Sequence, residues 1–206
     1  MFDEAYTKLE LEEIATIIDV LNKKVEGSIF DPLETSILAI DLPFYEGYRF
    51  LSIADYATSP PLQRYSFQKN GTMELTLIDW NYKTIQEINN KAPIKLNEDN
   101  VIEYIRFYFK HVKGRHGLFV ICETADHIQW KEEPPTAIKR SLNEALSPLQ
   151  IEEKNQDGSY TVKAYMMLKD ALFSVKVHVK PSGKINMSDQ EIVMEDIPAL
   201  DPTFMQ

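Results

Sequence analysis

The C-terminal third of the chain alternates apolar and polar residues with a period of two, and this pattern restricts the fold more than any other feature. One apolar series begins at Tyr160 and a second begins at Phe173. The alternating positions are Tyr160, Val162, Ala164, Met166, Leu168, Phe173, Val175, Val177 and Val179. Alternate side chains lie on one face of a β-strand, so each series predicts a strand with one buried face. Turn sequences at Asp157-Gly158, Lys169-Asp170 and 181–183 join the runs into an antiparallel meander of about four strands.

Three segments with helical spacing accompany these strands. The sequence Thr7-Lys8-Leu9-Glu10 has the pattern of a capping box and predicts a helix directly after it. A second helix is predicted over residues 98–113, which are apolar on nearly every side and therefore central. A third helix, over residues 135–147, begins at Pro135 and ends before Pro148. Either of the last two helices is available to cover the meander.

Shorter strands are predicted in the remaining segments. The apolar runs 37–40 and 48–53 have the length of strands and are bounded by prolines and loops. Asn70-Gly71 lies between two alternating runs and predicts a hairpin, because both central residues of its tight turn need a positive φ. The continuous apolar run 118–122 predicts a covered central strand. The sequence therefore predicts an α+β fold of antiparallel sheets packed with helices.

Two domain organisations fit this pattern. The break at Glu133-Pro134-Pro135 favours an N-terminal α+β region, residues 1–132, followed by a helix and the meander, residues 133–206. A single two-layer domain fits as well, because a chain of 206 residues suits one large domain or two small ones.

Charge and motif content argue against several classes of function. The 22 Lys and Arg against 32 Asp and Glu give a net charge of −10 at pH 7, which repels nucleic-acid phosphates and anionic lipids, so neither nucleic acid nor a membrane is an expected partner. The seven glycines form no P-loop, dinucleotide-binding or nucleophile-elbow motif, and no cofactor is predicted. A single cysteine and the lack of a leader pattern after Met1 predict a cytoplasmic location.

A basic and aromatic segment, residues 106–116, is the first candidate for ligand binding. Its candidate ligand residues are Arg106, His111, Arg115 and His116. Cationic groups interleaved with aromatic rings are what single-stranded nucleic acid or a phosphorylated ligand would contact, through charge and stacking. The favoured alternative is structural, because cations in the last turn of a helix offset the dipole of its C-terminus.

Residues 122–130 supply further candidate groups. Together with His111 and His116, the residues Cys122, Asp126 and His127 include the donor types of a metal site. A thiol with one of these histidines, oriented by Asp126, is a pair used in nucleophilic catalysis. The spacing favours neither use, because Cys122 lies inside an apolar run without a second cysteine, and no metal is predicted. Trp130 has an amphipathic ring that suits either the lining of a pocket or the edge of a core.

Part of the sequence is similar to that of other proteins. The similar stretch, residues 77–123, contains Ile85-Gln86-Glu87-Ile88-Asn89, Asn100-Val101-Ile102-Glu103-Tyr104-Ile105-Arg106-Phe107 and Gly117-Leu118-Phe119-Val120. It resembles a group of bacterial conserved hypothetical proteins and covers about a quarter of the chain. The resemblance implies a bacterial cytoplasmic protein and brings no catalytic residues with it.

Two functional hypotheses follow. The first is a cytoplasmic, non-enzymatic protein that binds a protein partner or a small ligand, because no strong catalytic motif occurs. The second is a small-molecule enzyme with a pocket for an anionic substrate. In that enzyme Arg106, Arg115 and His116 would hold the substrate, and His116 or His127 would be the general acid–base. The sequence leaves the oligomeric state open.

Overall fold

The protein has a mixed α+β fold, as predicted. Its structure is a computed structural model that describes residues 6–25 and 30–201. The described residues form four α-helices and two five-stranded antiparallel sheets. The chain divides into two compact units, Met1–Asp79 with Lys83–Lys95 and Trp80–Tyr82 with Leu96–Gln206. The predicted boundary between residues 132 and 133 falls inside the second unit.

The first unit is built around a sheet whose strands follow chain order. Its strands are β1 (Thr7–Lys8), β2 (Thr35–Asp41), β3 (Tyr48–Asp55), β4 (Leu62–Lys69) and β5 (Leu75–Leu77). The strands predicted at 37–40 and 48–53 are confirmed as parts of β2 and β3. The hairpin predicted around Asn70-Gly71 is confirmed as β4–β5, with Gln68 opposite Leu75. Its loop runs from residue 70 to residue 74, and within that loop only Gly71 has a positive φ, of 70°.

Helix α1 (Leu11–Asn22) packs on one face of the first sheet. Its apolar stripe shares one core cluster with strand residues; the cluster contains Ile14, Ile17, Ile18, Leu21, Ile37, Leu51 and Ile53. The predicted capping box before this helix is wrong. Thr7 pairs with Ala39 in the edge strand β1, and the helix follows Glu10, whose side chain makes no capping bond. The helix begins at Leu11, so Thr7 is three residues before the N-cap position.

The other face of the first sheet carries an aromatic cluster and helix α2 (Tyr82–Lys91). Tyr45 donates a hydrogen bond from its hydroxyl to Asn89 Oδ1 at 2.6 Å. The Tyr45 ring meets Phe67 edge-on with centroids 5.0 Å apart, and Phe67 meets Phe50 at 5.6 Å. Edge-to-face pairs of this kind stabilise a core beyond their buried area.

The second unit contains the predicted meander. Its strands are β6 (Val120–Ile121), β7 (Gln150–Lys154), β8 (Tyr160–Leu168), β9 (Ala171–Val179) and β10 (Ile185–Met194). The order is β10-β9-β8-β6, and β7 also pairs with β8. The turn predicted at Lys169-Asp170 is confirmed, because Leu168 pairs with Ala171 across it.

The strand predicted over residues 118–122 is shorter and more peripheral than expected. Only Val120 and Ile121 form a strand; both are half-buried, and within the described residues they pair with β8 alone. The apolar run is explained instead by side-chain packing, since Leu118 and Cys122 are buried on either side of this short strand.

The two predicted helices of the second unit are α3 (Val101–His111) and α4 (Thr136–Ala145). As predicted, α3 is buried on several sides, and its Tyr104 hydroxyl donates to the Gly183 carbonyl at 2.6 Å. Leu142 of α4 packs with Met167 and Leu172 of the meander in one cluster. Helix α4 therefore covers the end of β8 and β9 near their turn. No helix in the described ranges has the length and apolarity needed to cross a membrane.

Candidate functional site

An apolar groove of about 320 Å³ lies in the second unit, where the end of α3, strand β6 and the β8–β9 turn meet. We call it the β6 groove. Its apolar lining consists of Leu118, Val120, Ile128, Met167, Ala199 and Leu200. Volumes of this size lie at the lower end of small-ligand sites, and one water-sized group takes about 30 Å³, so the groove holds about ten non-hydrogen atoms.

The polar lining of the β6 groove is cationic. Its polar residues are Lys110, His127, Gln129 and Lys169, all of them exposed. No carboxylate is among the lining residues, although the chain as a whole carries a charge of −10. Among the ion pairs of the described residues none includes Lys110 or Lys169. Two lysines beside an apolar surface favour a ligand with an anionic group and an apolar body.

Backbone pairing holds one wall of the groove. Trp130 forms an isolated antiparallel bridge with Ala199. The Leu200 N–H donates to the Gln129 carbonyl at 2.7 Å, and the Lys131 N–H donates to the Pro198 carbonyl at 3.0 Å. Trp130 itself is partly buried against the core cluster that contains Leu142 of α4, and it belongs to the wall behind the groove.

His127 is the one predicted ligand residue that lines the groove. It lies in a single 3-10 turn, Ala125–His127, and the N–H of Ala125 donates to Asn143 Oδ1 at 2.8 Å. The N–H of Glu123 donates to His127 Nδ1 at 3.1 Å. Nδ1 is therefore an acceptor and Nε2 carries the proton of the neutral ring.

Arg106 is held by two carboxylates. Its Nη1 lies 2.5 Å from Glu103 Oε1, and its Nη2 lies 2.6 Å from Glu123 Oε1. Burial lowers the pKa of the guanidinium, but the two carboxylates outweigh this effect and raise it above its usual value. Burial raises the pKa of the Glu123 carboxyl, but hydrogen bonds from Arg106 and the Leu149 N–H hold it below its usual range. Arg106 is thus part of an internal ion-pair network.

His111 lies in the core. Only 2% of its surface is exposed, and its ring packs on Phe107 with centroids 4.5 Å apart and on Trp80 at 6.3 Å. Nδ1 lies 2.9 Å from the Phe107 carbonyl, so the neutral ring donates there. Burial is the main reason that the pKa of His111 falls to about 3. At neutral pH it is an uncharged core residue.

Arg115 and His116 form the tip of an exposed turn. Gly114 and Gly117 flank this turn as an isolated antiparallel bridge, and the Gly114 N–H donates to the Gly117 carbonyl at 2.9 Å. Gly117 has a φ of 132°, which other residues rarely adopt. Neither Arg115 nor His116 is among the lining residues of the β6 groove.

The structure therefore separates the predicted ligand residues. Arg106 and His127 both contact Glu123, one through its carboxylate and the other through its N–H. His111 is in the core, and the turn residues are exposed beyond the end of α3. The cationic groups of the groove, Lys110 and Lys169, are absent from the set that the sequence predicted.

Cys122 and Asp126 have structural partners. Cys122 is fully buried, and burial raises the pKa of its thiol to about 12. Asp126 pairs with Lys139 of α4 at 2.6 Å. In residues 6–25 and 30–201 no three His, Cys, Asp or Glu side chains form a group suited to a metal ion.

A second cavity, of about 380 Å³, lies in the first unit. Asp41, Glu46 and Lys95 supply its charges, and Glu46 already pairs with Lys95. This ion pair lowers the pKa of the Glu46 carboxyl. The cavity is less suited to an anion than the β6 groove, because two carboxylates and one paired lysine leave it net negative.

Comparisons with models of protein families, with curated proteins and with solved structures found no match to this chain.

Proposed function

We propose that the protein binds a small amphipathic anion, such as a medium-chain carboxylate, in the β6 groove. The observation that carries the proposal is the combination of six apolar lining residues with two lysines and no carboxylate. The apolar body of the ligand would lie against Val120 and Met167, and its anionic group would lie between Lys110 and Lys169. Binding in this site requires no chemical step by the protein.

The affinity expected for such a ligand is modest. About ten non-hydrogen atoms at about 0.4 kcal/mol each give about 4 kcal/mol, or a Kd of about 1 mM. Exposed charge pairs contribute about 0.2–1 kcal/mol each. The two lysines together should therefore change the affinity by about tenfold.

Calorimetric titration with octanoate and with octan-1-ol tests the proposal, because the alcohol has the same chain without the charge. We expect octanoate to bind more tightly than octan-1-ol. The double variant Lys110→Gln/Lys169→Gln should bind octanoate about tenfold more weakly and octan-1-ol unchanged. Lys131→Gln, an exposed lysine outside the groove, is the matched control and should bind as the parent does.

A second variant tests the position of the apolar body. Val120→Trp places a large ring in the groove and should weaken both ligands, with unfolding by heat as the check on folding. Equal affinities of the parent and the double lysine variant for octanoate would refute the proposal. The absence of binding at an octanoate concentration 10 times the expected Kd would also refute it. Binding of a protein partner, which is the other possibility in the first sequence hypothesis, would then become the favoured function.

The enzyme hypothesis receives less support. Arg106 is occupied by Glu103 and Glu123, and His127 alone of the four proposed substrate residues lines the groove.

The proposal also includes a cytoplasmic location. It is supported by the single cysteine of the chain, Cys122, which is a buried free thiol and therefore suits a reducing compartment. Cell fractionation with an antibody against the chain tests the location.

A further inference from the structure

A hydrogen-bonded chain of three side chains crosses the meander away from the β6 groove. Ser188 Oγ lies 2.7 Å from His178 Nε2, and Thr161 Oγ1 lies 3.2 Å from Nδ1 of the same ring. Thr161, His178 and Ser188 belong to the neighbouring strands β8, β9 and β10. The three side chains lie on one face of the sheet. Thr161 and Asn186 are each directly opposite His178, and residues opposite one another share a face. Ser188 lies two residues after Asn186 in the same strand and therefore also shares that face.

The two hydrogen bonds fix the imidazole on both sides. Thr161 is 7% exposed, so its hydroxyl belongs to the buried part of the sheet, whereas His178 and Ser188 are half-buried and open to solvent. With the ring proton on Nδ1, that N–H donates to Thr161 and Nε2 accepts the Ser188 proton. A hydroxyl bonded to a base, which is in turn oriented by a third group, is the arrangement used in nucleophilic acyl transfer.

A β-bulge follows Ser188 directly. Ser188 pairs with Lys176, and the next paired residue, Glu191, is opposite Ser174, so β10 has one extra residue between them. Asp189 in this bulge has a φ of 50°, a region that costs energy for a residue with a Cβ. Bulges re-aim side chains and occur often beside active sites.

The bulge also changes the backbone directly after Ser188. Asp189 and Gln190 have no paired residue on β9, so the strand pairing is irregular at the two residues that follow the serine. The N–H of the residue after a nucleophile is a common donor to the oxyanion in acyl transfer. Lys176, which is directly opposite Ser188, pairs with the Asp189 carboxylate, and its Nζ lies 3.0 Å from Asp189 Oδ2.

We propose that Ser188 is the nucleophile of an acyl-transfer site in which His178 is the base and Thr161 is a positioning residue. The substrates are activated acyl esters or thioesters, because this open sheet face gives little help to a poor leaving group. Ser188 Oγ forms a bond to the acyl carbon while His178 Nε2 takes the hydroxyl proton. The bond from the acyl carbon to the leaving group then breaks, and the leaving group takes the proton from His178. Water, deprotonated by His178, later cleaves the acyl–Ser188 ester, and Ser188 regains a proton as the carboxylate leaves.

Reaction with 4-nitrophenyl acetate tests this proposal. We expect nitrophenolate release in an initial burst of at most one equivalent, and an acetyl group on the peptide that contains Ser188, identified by mass spectrometry. Ser188→Ala should abolish both signals, and His178→Gln should lower the acylation rate at least about 100-fold. Thr161→Val should lower the rate less and shift its pH profile, an effect that loss of stability alone would not produce.

Ser174 provides the matched control, because it lies on the same face of β9, opposite Tyr165 and Glu191. Ser174→Ala should keep the parental burst. Acetylation that persists in Ser188→Ala, or that is equal in the urea-unfolded protein, would refute the proposal.

A thiol at the same position gives a second readout that does not depend on the ester. Ser188→Cys should react with iodoacetamide at neutral pH at least about tenfold faster than Ser174→Cys, because His178 would take the thiol proton. The native Cys122 does not interfere, since it is buried with a pKa of about 12. Equal alkylation rates at the two positions would also overturn the assignment.

Discussion

The buried histidine of α3 makes the stability of the second unit depend on pH in a way that can be calculated. His111 has a pKa of about 3 in the folded protein and about 6.5 in an unfolded chain. The folded state therefore binds fewer protons than the unfolded state between these values. The stabilisation is complete above about pH 6.5 and is lost progressively as the pH falls toward 3.

The magnitude at pH 5 depends mainly on the unfolded chain. At that pH the folded ring is still neutral, whereas the unfolded ring is about 97% protonated. Linkage then gives a loss of about 2 kcal/mol between pH 7.5 and pH 5. The result holds for any folded pKa below about 4, so it tests the burial of His111 rather than the particular value.

Urea unfolding of the parent and of His111→Phe, at several pH values from 7.5 to 5, measures the effect. Phenylalanine keeps the contacts of the ring with Phe107 and Trp80 but cannot be protonated. We expect the variant to be less stable at pH 7.5, because it loses the bond to the Phe107 carbonyl, and the difference to shrink by about 2 kcal/mol at pH 5. The other titrating groups are the same in the parent and in the variant, so their contributions cancel in the stability difference between the two proteins.

Phe109→Leu is the matched control, since it alters a buried position of the same helix without removing a titrating group. Its stability difference from the parent should stay constant within about 0.5 kcal/mol over this pH range. A constant difference for His111→Phe as well would show that His111 is protonated without unfolding and would refute the burial argument.

Two further predictions concern the same unit. Arg106→Met should lower the free energy of unfolding in urea by about 2–3 kcal/mol, because it leaves the carboxylates of Glu103 and Glu123, which are 27% and 14% exposed, without their counter-charge. Adding Glu123→Gln to this variant should recover part of the loss. Cys122 should react with a thiol reagent at pH 8 only at the rate at which the protein opens, because its thiol is buried with a pKa of about 12. Fast labelling in the absence of urea would contradict this.

The meander was predictable because it depends on local information. The alternation between Tyr160 and Val179 fixes which side chains are buried, and the two-residue turn at Lys169-Asp170 fixes the register. Leu168 pairs with Ala171, and every later pair of the hairpin follows, including Thr161 with His178. The opposition of these two residues was thus available from the sequence.

The errors arose where tertiary pairing overrode a local signal. Thr7 has the residue type of a helix cap, but it pairs with Ala39 in β1, and the helix begins only at Leu11, so Glu10 occupies the N-cap position instead. The run 118–122 has the composition of a central strand. In the structure only Val120 and Ile121 of this run pair with β8, and Leu118 and Cys122 are buried by side-chain packing instead.

The groove could not be predicted, because its cations come from distant parts of the chain. Lys110 is in the last turn of α3, where a cation needs no ligand to be explained, and Lys169 is in a turn of the meander. Sequence proximity instead favoured Arg115 and His116, which project from a turn. Clustering of charge along the chain is thus a weak guide to clustering in space.

The position of Ser188 shows which part of the site follows from local sequence patterns and which part depends on the tertiary pairing of strands. The loop between Val179 and Ile185 sets the register of β10, and it is closed by the Gly183 N–H bond to the Lys180 carbonyl at 2.8 Å. A loop one residue longer or shorter would move Ser188 to the opposite face of the sheet. The turn is evident from the sequence, but its closure is not, so the sequence alone does not place Ser188 beside His178. The pairing of a nucleophile with its base on adjacent strands therefore depends on a loop that carries none of the reacting groups.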